Sequence, residues 1–290
     1  MKDTDFKFFE ELLKRESGLI ITPEKTYLLE SRLLPLAQKQ GIQGGLEGLV
    51  QKMRGGNASL TRAVVEAMTT NETSFFRDNT PFQKLKEDLF PAFIKSRGAQ
   101  KSLRIWSAAC SSGQEPYSIA MMLKEAPQFA GWRIEIVATD LSQDILAQAK
   151  AGVYSQFEVQ RGLPIQMLVK YFTKQGENWE VKPDLKSMIS FKEANLLTDL
   201  RHLGQFDIVF CRNVLIYFDV PTKGKVLSTI KDITKQDGVL FLGGAETVIG
   251  ISDVFKPLTN VRGVYVRADS TFMAEKSPVA PAPPLSAVQK

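Results

Sequence analysis

The sequence predicts an α/β fold in which a doubly wound, mainly parallel sheet follows an all-α N-terminal domain. Up to residue 70 the apolar residues recur only at helical spacing. From Leu103 onward, short apolar runs of strand type alternate with helical periods, which is typical of a parallel sheet with helices on both faces. We therefore expect a helical domain (1–70), a linker with a connecting helix (71–100), an α/β domain (101–268) and a tail (269–290).

Composition and charge exclude several classes of protein. The 290 residues are 43% hydrophobic and 24% charged, as in ordinary globular proteins. No apolar run approaches the roughly 20 residues that a membrane span requires, and the first residues lack the apolar core of a signal peptide. We expect a cytoplasmic protein without membrane insertion. The net charge of +5 comes without a basic run, so no nucleic-acid partner is expected.

Cysteine and histidine are scarce. Two cysteines, Cys110 and Cys211, and one histidine, His202, argue against a disulfide framework and against a metal site. Both cysteines lie at the ends of predicted strands that become neighbours if the first and fourth strands pair, and buried thiols are favoured there over a redox pair. His202 falls in a predicted surface loop and is assigned no role.

Four helices are predicted in the first 70 residues. The first stops before Gly18, a residue suited to the left-handed position after a helix. The second is expected to open at Thr22-Pro23 and to kink or break near Leu34, because Pro35 cannot donate a backbone hydrogen bond. The predicted ranges are 4–15, 23–41, 46–53 and 59–68.

A polar stretch with two phenylalanines interrupts the helical pattern at residues 71–78. On spacing alone it is interpreted as a linker whose Phe75 and Phe76 insert into the next domain. A connecting helix is expected from Thr80 to about Ser96, with a kink near Pro91.

Residues 103–118 are the centre of the predicted α/β domain. A buried strand is followed by a turn of small residues at 107–113 and by a helix that opens at Gln114. Small side chains let a ligand approach the backbone, and the first N–H groups of the helix face it, as in nucleotide-binding βα units. Only Gly113 of the turn is a glycine, so an ordinary strand-to-helix turn stays open as an alternative.

The other predicted strands also end in polar residues. In a parallel sheet the ligand lies beyond the carboxyl ends of the strands. Asp140 ends the second strand, where a carboxylate accepts hydrogen bonds from ribose hydroxyls, although it also suits the start of the next helix. Asn195 can contact an adenine edge or cap a turn, and Arg212-Asn213 follow the fourth strand. Together these ends favour a nucleoside-type ligand. The predicted strands are 103–107, 132–140, 188–195, 206–213 and 238–244.

Two further segments complete the domain. Residues 153–190 do not fit βαβ spacing and are interpreted as an insertion with a helix over Gln166–Phe172, a β-hairpin, and a turn at Pro183-Asp184. Gly263–Arg267 is predicted to be an antiparallel edge strand. The tail at 269–290 is rich in proline and alanine and is expected to be disordered.

Four stretches of the sequence together resemble one known family. They are Asn71–Arg77 (NETSFFR), Ser107–Ser118 (SAACSSGQEPYS), Ala138–Asp140 (ATD) and Cys211–Phe218 (CRNVLIYF). In this order, over about residues 5–268, they resemble the chemotaxis receptor methyltransferase family, CheR. The resemblance implies a Rossmann-like S-adenosylmethionine methyltransferase domain with a small antiparallel β-insertion, preceded by an all-α domain.

That family methylates glutamate side chains on the cytoplasmic helices of chemoreceptors for chemotactic adaptation. The resemblance therefore implies S-adenosylmethionine as cofactor, S-adenosylhomocysteine as product, no metal, and the cytoplasmic helical domain of chemoreceptors as partner. We expect the enzyme to be a monomer. The implied cofactor pocket comprises Asn71, Thr73, Arg77, Glu115, Asp140, Asn195, Leu196, Arg212 and Asn213.

Within this implied pocket the residues have different roles. Asp140 holds the ribose hydroxyls, Asn195 and Leu196 flank the adenine, and Glu115 faces the methionine portion. Arg77 and Tyr217 are the catalytic candidates on the substrate side. A glutamate is already ionised at pH 7, so no general base is needed. Arg77 would aim the incoming carboxylate, and Tyr217 would bond that carboxylate or lie against the sulfonium.

Three alternatives remain. A methyltransferase acting on RNA or a small molecule would share the pocket, but the Asn-Pro-Pro-Tyr type of loop for base amino groups is replaced by residues 212–217. A non-catalytic adapter would bind the cofactor as a sensor, and intact Arg77 and Tyr217 argue against it. A nicotinamide dehydrogenase lacks its glycine fingerprint here.

One departure from the family pattern concerns docking. Some members bind a peptide at the receptor C-terminus through a glycine-containing loop of the β-insertion. The corresponding turn, Lys174–Asn178, is short. We expect such tethering to be absent or weak.

Overall fold

The computed structural model describes residues 1–259, 261, 263–270 and 272. Its α-helices are α1 (Asp3–Ser17), α2 (Thr26–Lys39), α3 (Gly45–Arg54), α4 (Ala58–Met68), α5 (Thr80–Lys84), α6 (Phe90–Arg97), α7 (Gln114–Lys124), α8 (Gln143–Ala151), α9 (Gln156–Gln160), α10 (Ile165–Tyr171), α11 (Pro183–Lys186) and α12 (Val220–Ile233). Its strands are β1 (Ser102–Ala108), β2 (Arg133–Asp140), β3 (Val153–Ser155), β4 (Phe172–Gln175), β5 (Asn178–Val181), β6 (Ile189–Glu193), β7 (Phe206–Cys211), β8 (Thr234–Leu242), β9 (Phe255–Pro257) and β10 (Val264–Arg267).

The N-terminal helices share a hydrophobic core of their own. Its buried residues all come from positions 9–68, with Phe9, Leu13 and Leu29 fully enclosed. Helix α1 ends at Gly18, whose φ of 77° is left-handed, as the sequence predicted. Helix α4 begins after Asn57, whose side chain accepts a hydrogen bond from the Leu60 amide at 3.0 Å.

The second helix differs from its prediction. Pro23–Lys25 form a separate 3₁₀ turn, and α2 begins only at Thr26. Of the expected kink or break near Leu34, the break is wrong, since α2 continues through Pro35 to Lys39, and the kink stays a prediction. The residues on both sides of Pro35 bury one apolar face, which outweighs the backbone hydrogen bond that the proline cannot make. That buried face is formed by Leu29, Leu33 and Ala37.

The linker enters the core of the α/β domain, as predicted. Phe75 is fully buried, with its ring 5.0 Å from Tyr154 and 5.7 Å from Phe172 in edge contacts. The Phe76 ring lies 5.2 Å from Phe82. The connecting helix that follows is divided by a π-helical turn over Leu85–Leu89, placed directly before Pro91. Such a turn accommodates the hydrogen bond that proline cannot donate.

The main sheet confirms the predicted doubly wound architecture. Seven strands lie in the order β6-β2-β1-β7-β8-β10-β9. The first five strands in this order, β6, β2, β1, β7 and β8, are parallel to one another. Alternate side chains of the parallel strands enter two cores, as Ile105 and Trp106 of β1 do on opposite faces. The order reverses between β1 and β7, with Ala108 opposite Cys211, so the sheet opens there toward its carboxyl edge.

Two details of the sheet correct the prediction. The strand expected at the edge, β10, pairs antiparallel with β8 but has β9 on its other side, so β9 is the edge strand. The insertion holds the predicted hairpin of β4 and β5, together with a third strand, β3, that pairs with β5. A single helical turn, α11, stands where a turn was predicted at Pro183-Asp184.

Most of the predicted tail lies outside the described residues. Positions 269, 270 and 272 are described, and the proline-rich remainder is not. Within the described part of the chain, no helix is both long enough and apolar enough to cross a membrane.

Candidate functional site

A pocket opens at the carboxyl edge of the sheet, beside the point where the strand order reverses. All ten residues that the sequence singled out line it: Asn71, Thr73, Arg77, Glu115, Asp140, Asn195, Leu196, Arg212, Asn213 and Tyr217. They come from the linker, the ends of β2, β6 and β7, the first turn of α7, and the loop before α12. The structure thus brings residues from these six parts of the sequence into one site.

The small-residue turn after β1 forms the floor of this pocket. Its backbone is left-handed at Ala109 (φ 52°), Ser111 (φ 51°) and Gly113 (φ 94°). A Cβ at Gly113 would lie 3.1 Å from the Cβ of Ala149 and 3.2 Å from the Tyr154 hydroxyl. The turn therefore needs small residues for its own tight winding as well as for close approach of a ligand.

Asp140 is buried at the end of β2. One carboxylate oxygen accepts the Ser111 N–H at 2.8 Å, and the other accepts the Ser142 N–H at 3.1 Å. Burial raises the pKa of Asp140, although these two N–H groups and that of Leu141 oppose the shift. A carboxylate offers about four lone-pair positions, so two stay available for hydroxyl donors of a ligand.

Glu115 and Arg212 form a largely buried ion pair in the wall of the pocket. Arg212 donates to Glu115 at 3.0 Å, to the Asp78 carboxylate at 2.7 Å, and to the Arg77 carbonyl at 3.0 Å. Glu115 also accepts the hydroxyl of Ser107 at 2.8 Å. Only 1% of the Arg212 side chain is exposed. Through these hydrogen bonds Arg212 joins the linker to the sheet. Its Nε is buried and has no partner among the described residues.

Arg77 and Tyr217 line the same pocket with polar atoms still available. Arg77 is half-buried and donates one Nη to the Glu72 carbonyl at 2.9 Å, which leaves its other donors unengaged within the described residues. The backbone carbonyl of Tyr217 accepts the Ile20 N–H at 3.0 Å. We find no hydrogen bond to the Tyr217 hydroxyl from any described residue. Both side chains can therefore bind a further polar group.

The Asn195 side chain caps a turn, which is one of the two roles that the sequence left open, and it also reaches the helical region. Its amide group donates to the Glu16 carbonyl of α1 at 2.6 Å and accepts the Leu197 N–H at 3.0 Å. The side chain thus joins the helical region to the sheet, which leaves Leu196 and Leu141 as apolar wall. Contact of Asn195 and Leu196 with an adenine stays a prediction.

Sequence reasoning missed part of the pocket wall. Ser17, Leu19, Thr69 and Thr70 of the helical region line it, although nothing in that region resembled a site. It also missed Glu246, whose carboxylate accepts backbone N–H groups of the loop that carries Tyr217. The signal for Glu246 was its position shortly after β8, a fifth polar strand end at the same edge.

The remaining candidates have no assigned part in this chemistry, although Cys110 lies in the pocket wall. Cys110 and Cys211 are free, buried thiols, and burial raises the pKa of both well above the ordinary value, which makes them poor nucleophiles. His202 is exposed in a 3₁₀ turn. Among the described residues, no group of three or more histidine, cysteine or acidic side chains is arranged to hold a metal ion.

The pocket residues fit S-adenosylmethionine. The two open acceptor positions of Asp140 suit the ribose hydroxyls, and the leucines suit the base. Glu115 adds a carboxylate to the same wall, which suits a ligand that carries positive ammonium and sulfonium groups.

Comparison with known proteins agrees with this geometry. Residues 71–264 match the family model for the CheR methyltransferase, SAM binding domain. Chemotaxis protein methyltransferase 1 of Pseudomonas aeruginosa is 43% identical over 273 residues, covering 92% of this chain and 98% of that protein. Chemotaxis protein methyltransferase Cher2 of Pseudomonas putida is also 43% identical, covering 91% and 98%. A chemotaxis protein methyltransferase of Vibrio parahaemolyticus is 38% identical over 260 residues, covering 88% and 94%. The chain therefore belongs to the CheR methyltransferase family and carries its S-adenosylmethionine-binding domain.

Proposed function

We propose that this protein transfers a methyl group from S-adenosylmethionine to glutamate side chains of chemoreceptors, forming glutamyl methyl esters in chemotactic adaptation. It would act in the cytoplasm on the helical domains of those receptors. The observation that carries the proposal is the pocket itself, which brings Asp140 and Leu196 together with Arg77 and Tyr217 and has no histidine among its lining residues. That set suits an acceptor that is already an anion. The names of the relatives, all chemotaxis protein methyltransferases, support the same reaction.

We assign the cofactor contacts by chemical type. Asp140 would accept the ribose hydroxyls, Leu196 would pack against the adenine, and Glu115 would face the methionine portion. S-adenosylmethionine, when bound, supplies a methyl group on a positively charged sulfur. Arg212 would act indirectly, by holding Glu115 and the linker in place through its buried hydrogen bonds.

Asn71 and Asn213 would form part of the wall around the cofactor, with their backbones as much as with their side chains. The Asn71 carbonyl accepts the Ser111 hydroxyl at 2.7 Å, which fixes the linker against the turn. Asn213 has a left-handed φ of 60°, which asparagine tolerates better than most residues. Thr73 is a half-buried linker residue in the same wall.

Arg77 would bind the incoming glutamate. Its bond to the Glu72 carbonyl restricts the guanidinium, while the remaining N–H groups can donate to a carboxylate. Orientation is the main contribution that such a site makes, since aligned reactants gain on the order of 7–11 kcal/mol over free encounter. The hydrogen bonds from Arg77 must be stronger to the transition state than to the bound glutamate, because tight binding of the glutamate in the ground state would slow the reaction.

Tyr217 would complete the acceptor side. Its hydroxyl can donate to the second carboxylate oxygen of the glutamate, or its ring can lie against the positive sulfur. A Tyr217→Phe variant separates these two roles, because it removes the hydroxyl and keeps the aromatic face.

Transfer of labelled methyl from S-adenosylmethionine to receptor-containing membranes tests the proposal. We expect base-labile label on the receptor bands, reduced at least tenfold by Arg77→Ala and by loss of the Tyr217 hydroxyl, with S-adenosylhomocysteine still bound. Arg133→Ala and Tyr27→Phe are matched controls, since both side chains are exposed and lie outside the pocket. Absence of label on protein with the cofactor bound would refute the proposal and favour an RNA or small-molecule substrate, or an adapter.

A further inference from the structure

The loop that carries Tyr217 is irregular and needs support from elsewhere. It runs from Asn213, with a left-handed φ of 60°, into a 3₁₀ turn at Leu215–Tyr217 before α12 begins. Backbone N–H groups in such a loop have no sheet or helix partner and must be satisfied in another way.

One carboxylate satisfies several of these groups. The Oε2 atom of Glu246 accepts the N–H of Asn213 at 2.8 Å and that of Gly243 at 2.6 Å. Its Oε1 atom accepts the N–H of Val214 at 2.9 Å and that of Ile216 at 3.3 Å. All four donors are main-chain groups, and three of them, Asn213, Val214 and Ile216, belong to the Tyr217 loop. Hydrogen bonds to an ionised acceptor are stronger than those between neutral groups.

The lack of a side chain at Gly243 leaves room for this carboxylate. A Cβ added at Gly243 would lie 2.7 Å from Glu246 Oε2 and 2.9 Å from the Asn213 nitrogen. A side chain at position 243 would therefore push the carboxylate away from the loop. On the other side, the Tyr217 carbonyl accepts the Ile20 N–H at 3.0 Å. Tyr217 is thus held between Glu246 and the helical region.

We propose that Glu246 is a positioning residue for methyl transfer, which fixes the 213–216 backbone so that the Tyr217 side chain faces the acceptor. The importance of Tyr217 rests on the proposed function above. Glu246 does not line the pocket, so it acts through the loop and not by touching the cofactor.

The test uses Glu246→Gln in the full chain. The amide keeps one acceptor oxygen and replaces the other by an NH2 donor, which faces two N–H groups. We expect amide hydrogen exchange in the peptide 213–217 to rise at least tenfold, with exchange in β1 and β2 unchanged. The matched control is Glu87→Gln, because Glu87 is exposed and has no hydrogen bond to another described residue. Unchanged exchange in 213–217 would overturn the proposal.

Kinetics then tests whether the effect passes through Tyr217. On receptor membranes, Glu246→Gln should lower kcat at least tenfold while KM for S-adenosylmethionine changes less than threefold. In a Tyr217→Ala background, which lacks both the hydroxyl and the ring, the same substitution should lower kcat less than twofold. An equal tenfold loss in both backgrounds would show that Glu246 acts independently of Tyr217, which overturns the proposal. If the parent protein does not methylate receptors, the proposed function fails, and the exchange measurement alone decides whether Glu246 anchors the loop.

Discussion

Replacing Asp140 by asparagine tests the assignment of the cofactor site most directly. The substitution keeps the shape of the side chain and removes its charge. In the structure the two carboxylate oxygens accept N–H groups of Ser111 at 2.8 Å and Ser142 at 3.1 Å. An asparagine amide offers one oxygen and one NH2, so one of these backbone donors would face another donor. The variant perturbs both the ribose contact and the turn beneath it.

The size of the effect follows from the hydrogen bonds at stake. A hydrogen bond to a charged group contributes about 1.5–3 kcal/mol. With the lower value for each of two ribose hydroxyls, Asp140→Asn costs about 3 kcal/mol of binding free energy. Since 1.4 kcal/mol corresponds to a factor of ten, S-adenosylhomocysteine should bind about a hundredfold more weakly.

Calorimetric titration with S-adenosylhomocysteine measures this change. Asp144→Asn is the matched control, because Asp144 lies exposed in the first turn of α8, four residues further on. It should leave the dissociation constant within twofold of the parent value. A loss smaller than about threefold in Asp140→Asn would refute the reasoning, because the carboxylate would then not contact the ligand.

The same residue gives a pH dependence whose direction is fixed. Burial raises the pKa of Asp140 above its ordinary value. Ribose hydroxyls donate to the ionised form, so affinity should be constant above this raised pKa and fall as the pH drops through it. The contribution of Asp140 to folding stability depends on pH in the opposite direction. Because the native pKa is raised, this contribution is fully present below the pKa of the unfolded chain and is lost as the pH rises through the native pKa. Asp140→Asn should abolish the pH dependence of binding.

Three further predictions concern stability and docking. Asp207 is fully buried and accepts Arg97 at 3.0 Å and Lys235 at 2.8 Å, so Asp207→Asn should lower the free energy of unfolding in urea by about 3 kcal/mol; a loss below about 1 kcal/mol would contradict this. Gly162 has a φ of 85°, and a Cβ there would lie 2.1 Å from the Phe75 carbonyl oxygen. Gly162→Ala should therefore lower the free energy of unfolding in urea by about 1–3 kcal/mol, and an unchanged value would count against this contact. The hairpin of β4 and β5 turns in two residues between its paired ends, so a receptor without its C-terminal peptide should be methylated as fast as the intact receptor; a large loss of rate would show tethering.

Local sequence patterns predicted most of the architecture. Helical spacing before residue 70 and alternating strand and helix after Leu103 reproduced the observed elements to within a few residues, because amphipathic periodicity records which face of each element is buried. The polar residues at the strand ends led to one pocket, since parallel strands bring their carboxyl ends to a common edge. The left-handed end of α1 at Gly18 followed from residue type alone.

Where prediction from sequence failed, the cause was packing between distant segments. The continuation of α2 through Pro35 and the third strand of the insertion depend on contacts with residues that are distant in the sequence.

The sequence by itself determined the order of most elements, the family resemblance and ten of the residues that line the pocket, because these follow from local periodicity and short motifs. Only the tertiary structure decided what the side chains bind. It placed the Asn195 amide on the Glu16 carbonyl, 179 positions away, and the Glu246 carboxylate on a loop about 30 positions earlier. Such partners are selected by the satisfaction of buried donors and acceptors in three dimensions, and sequence spacing carries no record of that choice.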